Sequence, residues 1–149
     1  MRNLALKLAK HLDIVERECG PFKVKCLVCK EPNDSFWDLI LWADWFDPNE
    51  RVRLGYLVKK LIKPLGDEEL MHFSAMITFG ANDDSPFLRS LANIQRKFDQ
   101  GVYDANWHDE VVQIRSTMPQ VAFIVPLGSR LIENTEASSE AMAELAETR

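Results

Sequence analysis

Nowhere in its 149 residues does the chain carry an apolar run approaching the ~20 residues of a bilayer-spanning helix, so no membrane partner is expected. No secretion signal is expected either. Basic residues interrupt the stretch from Met1 to Asp13 every few positions, leaving no continuous apolar core, and the expected location is cytoplasmic. Cysteine is scarce, with three residues, which in that compartment are expected to be reduced thiols. Positive charge is in deficit, 18 Lys and Arg against 23 Asp and Glu, for a net charge of −5. That balance argues against non-specific binding to nucleic acid or an anionic surface. There is no internal repeat, no H-E-x-x-H zinc pattern and no Walker-type phosphate loop.

What is present is a globular balance, 46% apolar and 28% charged. The length suits one domain, expected over 1–132, that buries roughly two-thirds of its extended surface. From Glu133 onward the chain is rich in Glu, Ala, Ser and Thr with few large apolar residues, and 133–149 is expected to be a flexible acidic tail.

Periodicity orders the elements. Leu4, Leu8, Leu12 and Val15 recur at helical spacing until Gly20-Pro21 ends the segment. Phe22 to Cys29 alternates, with Val24, Cys26 and Val28 on one face and Lys23, Lys25 and Leu27 on the other. After a turn cluster at Pro32-Asn33-Asp34-Ser35, Phe36 to Ala43 reads as a strand apolar on both faces save Asp38, which suits the centre of a sheet. The two strands most simply form a hairpin. Asp47-Pro48-Asn49-Glu50 predicts a helix start, with Asp47 as cap and Pro48 in the first helical position; Pro64 stops that helix. A short helix is expected at Asp67 to Met71 with Asp67 as cap, then a strand from Phe73 to Phe79 and a loop from Gly80 to Asp84. Ser85-Pro86 opens another helix, carrying Phe87, Leu91, Ile94 and Phe98 and closing at Gly101. Val111 to Ile114 and Val121 to Val125 read as final strands around a turn at Thr117 to Gln120. The expected fold is α+β, mixed α/β: one mixed sheet of about five strands with helices packed on it, in the order α-β-β-α-(α)-β-α-β-β.

Four groups of residues invite a chemical reading. Cys26-x-x-Cys29 has the spacing of zinc and redox motifs, but the only other cysteine is Cys19, and residues three apart in a strand point to opposite faces. Trp37, Trp42 and Trp45 crowd nine residues with Phe36 and Phe46. The first two fit a core on either side of a central strand. Trp45, in the loop, is the candidate for exposure and for lining a pocket or interface, as are Trp107 and His108 in N-W-H-D-E. Asp44 and Asp47 follow one strand, Asp83 and Asp84 another. If those strands are parallel neighbours, both loops leave the same sheet edge, where open α/β sheets place their sites. Asp44, Asp83 and Asp84 are then candidate ligands for Mg²⁺ in hydrolytic or phosphotransfer chemistry, to which Asp38 and His72 could add. The everyday explanation of these aspartates is capping and turn chemistry. Arg51, Arg53, Lys59, Lys60 and Lys63 share a helix whose simplest role is a solvated face.

No catalytic constellation emerges. The leading expectation is a non-catalytic interaction or regulatory module, with a protein partner or self-association. The alternatives are an Mg-dependent hydrolase or phosphotransferase and a small-molecule sensor with its pocket near Trp45 or Trp107.

Overall fold

A computed structural model describes residues 2–30, 36–102, 114–115, 121 and 123–132. The tail beyond residue 132, the turn at 32–35, the strand residues 111–113, the turn at 117–120, Trp107 and His108 lie outside these.

Helix α1 spans Arg2–Cys19 and buries Leu4, Ala5, Leu8, Ala9, Leu12 and Val15, one stripe at helical spacing. It ends where Gly20 takes φ 132°, a conformation that costs a β-carbon-bearing residue dearly. Strands β1 (Val24–Cys29) and β2 (Trp37–Trp42) form the expected antiparallel hairpin, from Val24 opposite Trp42 to Val28 opposite Asp38. Both are buried almost throughout, as central strands should be.

Helix α2 (Glu50–Leu57) starts two residues later than the Asp-Pro signal suggests. Its cap is Asn49, whose side chain accepts from the backbone N–H groups of Arg51 and Val52 at 3.0 and 3.3 Å. Asp47 instead accepts from the N–H of Asn49 at 2.8 Å, a turn that presents the true cap. Glu50 is thus the first helical residue rather than part of a capping box. The helix widens into a π-helical turn over Val58–Ile62, closed by the Lys63 N–H donating to the Val58 carbonyl at 2.9 Å. The short helix α3 covers Asp67–Leu70, with Gly66 rather than Asp67 in the cap position.

Strand β3 (Phe73–Phe79) lies parallel to β2. Ser85 caps helix α4 (Pro86–Asp99) by accepting from the Leu88 N–H at 3.1 Å, with Pro86 in the first turn. The buried residues of α4 are Leu88, Leu91, Gln95 and Phe98; Phe87 and Ile94 flank them. Strand β4 is Ile114–Arg115 and β5 is Phe123–Pro126.

The sheet runs β3-β2-β1-β5-β4, with only the β2–β3 pair parallel. Four strands of four to seven residues carry it, against the five or so expected, and two-residue β4 extends it beyond β5. Helices cover both faces. One apolar cluster joins α1, Leu57 and Leu61 to Leu27, Leu39 and Leu41 of the sheet. The other joins Leu88 and Leu91 of α4 to Val24, Cys26, Val28, Ile40 and Trp42. The two tryptophans of β2 therefore do fill opposite sides, Trp37 in the first cluster and Trp42 in the second. No helix among the described residues is long and apolar enough to cross a membrane.

Candidate functional site

The parallel β2–β3 pairing does send the loops after both strands out at one edge: Trp42 stands opposite Phe79, and the Ala43 N–H donates to the Phe79 carbonyl. The aspartates in those loops nevertheless turn to separate partners. Asp44 pairs with Lys23 at 2.9 Å. Asp47 serves the turn before α2. Asp83 accepts from the Gly80 N–H at 2.7 Å, and Asp84 pairs with Arg89 at 3.2 Å. Asp38 and His72 stand at the opposite end of the sheet, where Trp37 is level with Phe73. Among the described residues no three His, Cys, Asp or Glu side chains are placed to hold a metal ion, so the structure does not assemble Asp44, Asp83 and Asp84 into a Mg²⁺ ligand set. Hairpin alternation likewise separates the cysteines. Cys26 lies in the α4-side cluster and Cys29 in the α1-side cluster, and burial pushes the Cys26 thiol far up, away from the reactive thiolate.

Trp45 carries the geometry forward. It is half-buried rather than exposed, because its indole N–H donates to the Pro21 carbonyl at 3.0 Å and its ring meets Phe22 and Phe46 edge to face, at 5.3 and 4.7 Å between centroids. This trio ties the end of α1 to the loop before α2. Between them lies a cavity of about 250 Å³ lined by Cys19, Trp45, Phe46, Asp47, Val52, Arg53, Tyr56 and Leu57. Val52 is 54% exposed on its rim.

Cys19, Tyr56 and Arg53 in the cavity lining each hydrogen-bond within the protein. The Cys19 Sγ and the Tyr56 hydroxyl lie 3.1 Å apart. That hydrogen bond, with burial and the nearby Glu18 charge adding to it, pushes Tyr56 up to about 12, so its hydroxyl keeps its proton at neutral pH. Arg53 donates through Nε to the Thr78 hydroxyl at 2.9 Å and through Nη1 to the Asp47 carbonyl at 3.2 Å, and its guanidinium stands 5.7 Å from the Phe46 ring centre. It fixes α2 to β3 and forms a rigid wall of the cavity. Lys59, Lys60 and Lys63 take no part in the lining.

A second constellation lies inside the fold. Lys25, 5% exposed, pairs with Glu16 at 2.8 Å. Gln95, 2% exposed, accepts from the Lys25 N–H at 3.2 Å and donates to the Leu127 carbonyl at 3.0 Å and to Asp99 at 3.2 Å. Burial raises the Asp99 carboxyl pKa, against the pull of Lys25 and the Gln95 hydrogen bond. These side chains join α1, β1, α4 and the end of β5 in one network whose hydrogen bonds are met internally. The sequence signal for it is slight: one lysine in an apolar strand, and a glutamine one turn after Leu91 in a buried stripe.

No family model matches the chain, and neither a curated protein nor a solved structure matches it.

Proposed function

We propose that the protein is a non-catalytic interaction module of the cytoplasm whose Trp45–Tyr56 cavity receives an apolar side chain of a protein partner. The observation that carries this is the cavity itself, an apolar recess with a fixed aromatic and arginine wall and an exposed valine at its mouth. Trp, Tyr and Arg are the residue types that concentrate binding energy at protein interfaces, and held rigid they lose little entropy on binding. Size favours a side chain over a metabolite: about 250 Å³ falls below the ~300–1,000 Å³ of small-molecule sites. Tyr56, Cys19 and Arg53 each already hydrogen-bond within the protein, which favours an apolar anchor as the group received.

Peptide selection from a random display library tests this reading. Peptides enriched on the protein are expected to share one aliphatic or aromatic anchor and to lose binding at least tenfold on Val52→Trp, which fills the mouth. Enriched peptides that bind Val52→Trp as well as the parent would overturn it.

A further inference from the structure

The free edge of the sheet is a surface independent of the cavity. Strand β3 is the last strand on its side, paired only with β2 among the described residues. Exposed sheet edges are ordinarily guarded by lysine, proline, inward charge or a bulge. Phe73–Phe79 reads F-S-A-M-I-T-F, without a charge, a proline or a glycine. A bulge is present, since β3 uses three residues from Phe73 to Met76 where β2 uses two from Trp37 to Leu39. It disturbs only the first half. From Met76 to Phe79 the strand follows β2 residue for residue.

The register shows which backbone groups face outward. The Ala43 N–H donates to the Phe79 carbonyl, so Phe79 bonds toward β2. In a parallel ladder alternate residues bond to the same neighbour, so Ile77 does too, and the N–H and C=O groups of Met76 and Thr78 point away from it. Ile77 is 40% exposed on the α4 side.

We propose that β3 pairs antiparallel with β3 of a second copy about a two-fold axis at Ile77, joining the two sheets into one. In that register Met76 stands opposite Thr78 of the other copy, each N–H donating to the other's carbonyl, and the axis repeats the pair. Ile77 meets its own counterpart at the closer, non-hydrogen-bonded position, which covers its exposed side chain. A second copy is the occupant that the strand itself specifies. A two-fold brings two copies of one short segment together, so any charge on it would lie near a like charge of the other copy, which this neutral strand avoids. The outward-facing pair lies symmetrically about the exposed isoleucine. Beyond the strand, the same register carries residues 79–83 of one copy past 71–75 of the other, toward Met71, which is 66% exposed.

Light scattering over a concentration series is expected to show mass rising from the 17.1 kDa of one chain to twice that. Ile77→Lys and Ile77→Glu, at a surface position, are each expected to remain monomeric with an unchanged circular dichroism spectrum. Mixed in equal amounts they are expected to recover the dimer, because the axis sets Lys against Glu. Ile77→Cys serves where a charged variant fails to fold: mild oxidation is expected to link position 77 to position 77 by a disulfide, located by peptide mapping. A parent that stays monomeric at the highest concentration, a dimer indifferent to both charges, a mixture that stays monomeric, or cross-linking only through exposed Cys19 would each overturn the proposal.

Discussion

Lys25 shows how unevenly a buried pair responds to its two deletions. Its side chain is 6% exposed, whereas that of its partner Glu16 is 23% exposed. Removing Glu16 leaves a buried ammonium with the partly buried Asp99 as its nearby counter-charge; removing Lys25 leaves a carboxylate that reaches solvent. Glu16→Ala is therefore expected to cost roughly 2–4 kcal/mol, and Lys25→Met about 1 kcal/mol or less, since breaking one side of a buried pair costs more than replacing its charge by a chain of similar shape. Urea unfolding of both variants measures the difference; equal losses would show the pair to be effectively solvated. Little of this was legible in the sequence. Alternation places Lys25 on the face of Leu27 correctly, but it cannot reveal that Glu16, on another element, waits there. Nor does Gln95 stand out, because a stripe of helical spacing reads the same whether the residue between Leu91 and Phe98 is buried or not. Partners brought together by tertiary packing leave no local mark.

At the scale of elements, legibility was greater where a single physical rule acts. Strand β3 and the cap of α4 at Ser85 lie where the pattern places them. The start of α2 does not, because Asp47 and Asn49 offer the same cap chemistry two residues apart and turn geometry decides between them. The turn after α1 has a consequence for the cavity. A β-carbon on Gly20, at φ 132°, would stand 3.0 Å from Cδ1 of Trp45. Gly20→Ala is expected to combine backbone strain with displacement of that ring, at about 1–3 kcal/mol in denaturant unfolding. An unchanged midpoint would mean that Trp45 is not held against the turn. The same contact makes α1 a buttress of the cavity, which periodicity alone presents only as a packing helix.

At the scale of the molecule, the parallel pairing of β2 with β3 was the condition attached to the acidic loops, and it holds. Convergence of loops was legible; convergence of carboxylates was not, because each aspartate has a nearer donor in Lys23, Asn49, Gly80 or Arg89. The same topology leaves β3 at the border of the sheet, with the wall of the cavity fixed to it through Arg53 and Thr78. The cavity and the open edge thus share one mechanical element, and a partner at the first would be presented beside a second copy at the other. The most direct measurement is a nitrogen-15 chemical-shift titration with p-cresol and isopentanol, small stand-ins for tyrosine and leucine side chains. The expected result is saturable shifts confined to the surroundings of Cys19, Val52 and Tyr56, abolished by Val52→Trp. Shifts spread over the surface, or unchanged in that variant, would contradict a side-chain-receiving cavity.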